Sequence, residues 1–255
     1  MLTLNKDIIQ RLIQIEASVH YSELPPTETD PFVIVDRGSP VVLSAPHGAI
    51  TFRNNSQEIW HEEDEYTASM ALLLCELCQT SAIATVWRTD TSDPNASPRN
   101  DSAYKTKLKT LLDQGEARWL IDLHGAASQS RYLGENQWVD LGLGAKNQYL
   151  DADLADFLNS RVKHYLGVNA TDRQGRPGFP AAEETRIAYF AFYECGIGSI
   201  QIEMKPNVRI PLRRVDASAY SKPITSGGGP YSAPDEQILG MMQALVDFIE
   251  YLKDL

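Results

Sequence analysis

Three short apolar runs each end on a residue that can bind a proton or a metal. Val41-Val42-Leu43-Ser44-Ala45 leads into Pro46-His47-Gly48, Trp119-Leu120-Ile121-Asp122-Leu123 into His124-Gly125, and Ser199-Ile200-Gln201-Ile202 into Glu203. β-rich runs of this length, stopped by polar residues and Gly, read as buried strands. In open α/β sheets the sites lie beyond the carboxyl ends of such strands. The pattern therefore predicts two imidazoles and a carboxylate at one sheet edge, a donor set suited to a divalent-metal hydrolase.

The rest of the chain supplies the partners such a sheet needs. Ile8, Ile9, Leu12, Ile13 and Ile15 mark an N-terminal helix, and Phe32-Val33-Ile34-Val35 a strand. A polar loop over 51–57 precedes a helix predicted from Glu63 to Cys78, followed by a strand over Ala82–Trp87. Further helices are expected over Ser102–Leu112, Asp151–Tyr165 and Glu183–Tyr193, with a loop over Gln174–Pro180. The last helix starts near Pro234, a good first-turn residue, and carries Ile238, Met241, Met242, Leu245, Phe248 and Ile249. Strands alternating with helices imply βαβ units and a largely parallel or mixed sheet covered on both faces. No repeat or linker divides the 255 residues, so 1–255 is expected to form one domain.

Composition excludes several classes. The net charge of −11 argues against phosphate-backbone binding, so no nucleic-acid partner is expected. No apolar stretch approaches the roughly 20 residues that span a bilayer. The N-terminus lacks a signal-peptide pattern. With three cysteines, that favours a reducing cytoplasm without structural disulfides.

Of the five histidines, His47 and His124 share a context, strand end followed by Gly, whereas His20, His61 and His164 sit in polar helical or loop settings. One strand-end His is usually structural; two with matching contexts favour ligation. Asp122 lies two residues before His124 and so shares its face of the strand, where it could orient an imidazole or remain an ordinary buried acid. Catalytic zinc sites use three protein ligands and keep one position open. The third is sought in Glu62-Glu63-Asp64-Glu65 at the predicted helix start, although acids there also serve the helix dipole. Glu203 could move the proton of an attacking water, or else be a surface acid paired with Lys205. Arg99, in Pro98-Arg99-Asn100-Asp101, could clamp a substrate carboxylate, with Arg209 and the Arg213-Arg214 pair as weaker candidates.

Other signals are better explained by packing. Cys75-Glu76-Leu77-Cys78 falls late in a helix, where C-x-x-C reads as core. Gly142-Leu143-Gly144 lacks the third Gly of a dinucleotide fingerprint and no clear strand precedes it. Gly227-Gly228-Gly229-Pro230 reads as a flexible loop, and Tyr189, Phe190, Phe192 and Tyr193 as core. There is no G-x-S-x-G for a serine hydrolase.

Leu43-Ser44-Ala45-Pro46-His47-Gly48, Glu63-Asp64-Glu65-Tyr66-Thr67, Ile121-Asp122-Leu123-His124-Gly125, and Gln201-Ile202-Glu203 with Arg209 downstream together resemble the N-formylglutamate amidohydrolase family. That family is similar to zinc carboxypeptidases and aspartoacylases. The resemblance implies a three-layer α/β/α fold around a mixed, largely parallel sheet. It also implies one Zn²⁺ held by His47, Asp64 and His124, with Glu63 or Glu65 as alternatives to Asp64. Glu203 is then the acid that activates water, and Arg99 and Asn100 fall where relatives hold the substrate carboxylate. His47-Gly48-Ala49 stands where the family usually has His-Ser-Gly, and Arg99-Asn100 where Asn-Arg is common.

The expected activity is thus zinc-dependent cleavage of an amide bond in an N-acylated, carboxylate-bearing small molecule. Arg99 would bind either that carboxylate or the oxyanion. The alternatives are a peptidase- or esterase-like hydrolase on the same site, or a binding protein without catalysis.

Overall fold

The computed structural model describes residues 3–53, 60–98, 101–114, 116–128, 133, 137–170, 179–217 and 232–255. Among the described residues, eight strands and six helices follow in chain order. They are α1 (Asp7–Glu16), β1 (Phe32–Val35), β2 (Val41–Ala45), β3 (Thr51–Phe52), β4 (Trp60–His61), α2 (Thr67–Cys78) and β5 (Ser81–Thr85). Then come α3 (Ala103–Gln114), β6 (Trp119–Gly125), β7 (Val139–Gly142), α4 (Ala152–Leu166), α5 (Ile187–Cys195), β8 (Gly198–Met204) and α6 (Asp235–Lys253). A 3₁₀ turn at Pro206–Val208 follows β8.

Six strands form one sheet in the order β1-β5-β2-β6-β8-β7. The inner four, β5, β2, β6 and β8, run parallel, while β1 and β7 pair antiparallel at the edges. β3 and β4 make a separate two-stranded hairpin. The expected mixed, largely parallel sheet is therefore what the residues build.

Side chains alternate across each strand, and in-register neighbours share a face. Leu43, Ile121, Leu123, Ile200, Ile202 and Met204 turn to one side and pack with α1, α2, α4 and α6. Each fully buried Leu or Ile there contributes about 1.5–3 kcal/mol relative to exposure. Val42, Ile83 and Leu120 turn to the other side, under Leu108 and Leu111 of α3 and Phe190 of α5. These two covering layers are the three-layer α/β/α arrangement.

The second face changes character along its length. Beyond Val42 and Leu120 the same rows continue as Ser44 beside Asp122, Asp122 beside Gln201, and His124 beside Glu203. The amino-terminal half of that face is core and its carboxyl-terminal half is polar. Chain direction sharpens the point: β2 is followed in the sheet by β5 on one side, whereas β6 is followed by β7 and β8 on the other. Between the carboxyl ends of β2 and β6 lies the crevice where open α/β sheets bind their ligands.

Two helices begin later than the sequence predicts. α2 starts at Thr67 rather than Glu63, because Tyr66 adopts a left-handed conformation (φ 68°) that a helix cannot propagate through. The four acids are thus outside the first helical turn, and the dipole explanation for them does not apply. α5 starts at Ile187 because Glu183–Arg186 closes a turn, Arg186 N–H donating to the Glu183 carbonyl at 2.9 Å. β7 is an added strand: Val139-Asp140-Leu141-Gly142 is too short to stand out by pattern, and it places Gly142 after a strand, though still without a helix opening on it. The predicted 174–180 loop falls largely, and Gly227–Pro230 entirely, outside the described residues.

Candidate metal centre

His47 follows β2 by two residues, in a turn whose shape is set by close packing. A Cβ on Gly48 would lie 2.3 Å from the Thr85 carbonyl and 2.4 Å from Ala68 Cβ, so only Gly lets the turn pass between β5 and α2. Asp64 N–H donates to the His47 carbonyl at 2.7 Å, tying the acid segment to the histidine turn by main chain. Both the Thr67 amide and its hydroxyl return to the Asp64 carbonyl, at 3.0 and 2.8 Å. Asp64 is thereby held beside His47, and its carboxylate meets both histidines.

The two imidazoles are arranged alike. His47 Nε2–H donates to Asp93 Oδ1 at 2.8 Å, and His124 Nε2–H to Asp122 Oδ2 at 2.9 Å. A carboxylate only accepts, so each bond places a proton on Nε2, and in the neutral ring the lone pair is then on Nδ1. Both Nδ1 atoms face the same oxygen, Asp64 Oδ2, from 3.5 Å (His47) and 3.4 Å (His124). His47 Nδ1 is buried and makes no hydrogen bond among the described residues.

Those separations fit a metal better than direct pairing. At 3.5 Å a hydrogen bond is barely formed. Ligands about 2.0–2.1 Å from a tetrahedral zinc sit roughly 3.3 Å from one another. Carboxylates behind ligating imidazoles are the usual means of fixing tautomer and ring orientation. Asp122 thus does orient its histidine. Asp93, in the loop after β5, was not singled out from sequence. Its signal was position, since β5 is a parallel strand whose carboxyl end opens on the same edge.

A third imidazole joins them. His61, on β4, stacks on His47 with ring centroids 3.8 Å apart. His47, His61 and Asp64 each offer one donor atom, all within 4.8 Å of one another, forming a group that could hold a metal ion and that does not include His124. His61 Nδ1 bonds to the Glu62 carbonyl at 2.6 Å. Its polar setting concealed it in the sequence, yet its place three residues before Asp64 was the available clue.

Charge follows geometry. Burial works against the ionised forms, but it is outweighed at four groups. Asp93 and Asp64 raise the pKa of His47, Asp122 raises that of His124 well above its ordinary value, and the histidines hold Asp64 well below. Asp93 is likewise held low, burial being overcome by His47, His61 and Arg53, whose Nε donates to Asp93 Oδ2 at 2.6 Å. Burial and then the neighbouring His47 push His61 down to about 3, leaving it neutral.

Glu203 lies beside His124 in register and is buried, as is Lys205, so it is not a surface acid. Gln201 Nε2–H donates to Glu203 Oε1 at 2.8 Å and sets the carboxylate's orientation. Glu63 and Glu65 are also buried, and Glu65 Oε1 meets Arg213 Nη2 at 3.2 Å. Arg209 is fully buried. Its Nε donates to the Met204 carbonyl at 3.0 Å and its Nη1 to the Glu65 carbonyl, and it packs so closely over Gly125 that a Cβ there would lie 2.7 Å from Cζ. Arg214 bonds the Glu16 and Val19 carbonyls. Arg99 and Asn100 lie outside the described residues.

Cys75 and Cys78 end α2, as the core reading requires, and burial raises Cys78 to about 12. Among the described residues, no helix is long and apolar enough to cross a membrane.

No protein-family model matches the chain, and no curated protein matches it by sequence. Solved structures match its fold. A gene product of Agrobacterium tumefaciens superposes with a TM-score of 0.55 at 10% identity, over 90% of this chain and 97% of that one. A structure named "Putative carboxypeptidase A" from Shewanella denitrificans gives 0.51 at 12% identity, over 97% of this chain and 68% of that one. A bacteriophage poly-gamma-glutamate hydrolase gives 0.47 at 17% identity, over 89% and 92%. At such identities the likeness is one of fold.

Proposed function

We propose that the protein is a metal-dependent hydrolase that cleaves an amide bond in an N-acylated amino acid or similar carboxylate-bearing small molecule. The observation that carries this reading is the pair of imidazoles whose Nε2–H groups are tied to buried carboxylates while both Nδ1 atoms face Asp64. His47, Asp64 and His124 would hold the ion, one Zn²⁺ in this reading. A bound zinc would supply Lewis acidity and bring the pKa of its water to about 7.

The chain's own residues supply the rest. Asp93 and Asp122 keep each imidazole in the tautomer whose Nδ1 can ligate. Glu203, oriented by Gln201 and adjacent to His124, takes the proton of the attacking water and returns it to the leaving nitrogen. Arg99 and Asn100 hold the substrate carboxylate. Arg209, committed to two carbonyls, contributes by fixing the main chain at Glu65 and Met204. The fold shared with a structure named as a carboxypeptidase A favours, as the second reading, a peptidase acting next to a free carboxylate.

Glu203→Gln tests the scheme. It is expected to keep its zinc and lose about 10²–10⁴-fold in kcat on the N-acyl amino acid that wild type turns over best. Undiminished turnover would remove Glu203 from the mechanism. Absence of zinc from wild type, even after reconstitution, would remove the basis of the reading.

A further inference from the structure

Resting on that reading, we infer that Glu16, at the end of α1, is a positioning residue of the metal site, acting on Asp64 through the main chain of Tyr66. The observation that calls for it is a backbone angle. Among the described residues, five non-glycine residues have positive φ, and Tyr66 (φ 68°) is the only aromatic one. A bulky side chain rarely enters the left-handed region, and such conformations persist only where their surroundings impose them. This one stands two positions after Asp64 and immediately before α2.

The surroundings impose it from two sides. Glu16 Oε1 accepts the Tyr66 N–H at 2.8 Å and also the Tyr21 hydroxyl. Glu16 is buried, and Arg214 Nη1 fixes the end of α1 by donating to the Glu16 and Val19 carbonyls, both at 2.6 Å. From the other side, the Tyr66 hydroxyl donates to the Leu212 carbonyl at 2.5 Å. Three successive residues are thus tied by their main chain: Asp64 N–H to the His47 carbonyl, the Glu65 carbonyl to Arg209, and Tyr66 N–H to Glu16. The first two ties come from segments that follow the central strands β2 and β8. The third comes from a helix that carries none of the proposed ligands. Without the carboxylate, the Tyr66 N–H is buried with no acceptor and its backbone relaxes toward ordinary angles. Asp64 then shifts from the point that His47 and His124 Nδ1 share, and a metal site tolerates only about 0.2 Å of error in its ligand distances.

The test is zinc affinity by chelator competition, with urea unfolding of the metal-free protein beside it. Glu16→Asp keeps the charge but draws the carboxylate back by one methylene, out of reach of the Tyr66 N–H. Glu16→Gln gives up the charge but keeps an acceptor at the Oε1 position, and Glu16→Ala removes both. Zinc affinity is expected to fall about tenfold or more in Glu16→Asp and Glu16→Ala, and to stay near the wild-type value in Glu16→Gln. Leu12→Ala, which opens a cavity under the buried face of α1, is the control: it should lose stability and keep its affinity. Wild-type affinity in Glu16→Asp and Glu16→Ala would overturn the inference. So would a loss in Glu16→Gln as large as in Glu16→Asp, or an equal loss in Leu12→Ala. Zinc bound equally by wild type and the Glu16 variants removes only the role of Glu16, whereas a wild type that binds no zinc removes the metal site itself.

Discussion

Replacing Asp93 by Asn probes the support behind the site while leaving every proposed ligand in place. Asp93 is fully buried and accepts three hydrogen bonds. His47 Nε2 and the Asn95 amide both donate to Oδ1 at 2.8 Å, and Arg53 Nε donates to Oδ2 at 2.6 Å. Asn has the same shape but one acceptor fewer. With its amide oxygen in the Oδ1 position, the NH₂ group faces the Arg53 guanidinium, and one charge-assisted bond worth about 1.5–3 kcal/mol is lost. The opposite orientation sets NH₂ against both His47 Nε2–H and Asn95 N–H, and His47 could be satisfied only by moving its proton to Nδ1, where it would block ligation. The first orientation costs less, so metal-free stability should fall by about 1.5–3 kcal/mol in urea. Zinc affinity should fall about 10- to 100-fold, or about 1.4–2.7 kcal/mol, because the carboxylate no longer strengthens the imidazole as a ligand. Asp90→Asn, which alters only the exposed pair with Arg88, is the control and should change neither quantity. A zinc affinity for Asp93→Asn within twofold of wild type would refute the assignment of Asp93 as the orienting group, and with it the account of why His47 presents Nδ1.

Two further predictions concern the frame around the site. Gly125→Ala forces the Arg209 guanidinium away from a Cβ only 2.7 Å from Cζ, disturbing its bonds to the Met204 and Glu65 carbonyls. A loss of about 1–3 kcal/mol in urea is expected, and wild-type stability would show that the guanidinium shifts without cost. Lys105 is buried, with Nζ bonded to the Ser97 carbonyl at 2.8 Å and to the Thr185 carbonyl, and burial lowers its pKa from 10.5 to about 8. Between those values the unfolded chain holds a proton that the folded chain has released, so this group makes stability rise with pH, by at most about 1.4 kcal/mol per pH unit. Subtracting the pH profile of Lys105→Met from that of wild type should reveal that rise above pH 8, and a flat difference would count against the burial effect.

What could be read from sequence follows from how local each signal is. β1, β2 and β6 stood out because Phe32–Val35, Val41–Ala45 and Trp119–Gly125 are runs bounded by Pro, Gly or charge. His47, His124 and Glu203 were visible because strand ends advertise themselves. The start of α2 was not, because it depends on one backbone conformation at Tyr66, which Glu16 holds from α1 by accepting the Tyr66 N–H at 2.8 Å. A contact across 50 residues leaves no mark in the local pattern. Asp93 and His61 escaped for the same reason: each acquires its role from a neighbour on another element. Polar residues in a loop gain meaning only once the order of strands shows which loops share an edge.

The alternation of β6 and β8 also makes the site a witness to correct strand pairing. Ile202 and Glu203 are successive residues on opposite faces, one against the helical core and the other beside His124. If β8 paired one residue out of step, every odd position would exchange places with its even neighbour. A carboxylate would enter the apolar layer and an isoleucine would stand at the reacting centre. Misfolded material that kept its strands and its compactness would still have lost the acid, so a chain that works as proposed has threaded these strands correctly. Activity would then grade refolded preparations on a point to which far-ultraviolet spectra are blind.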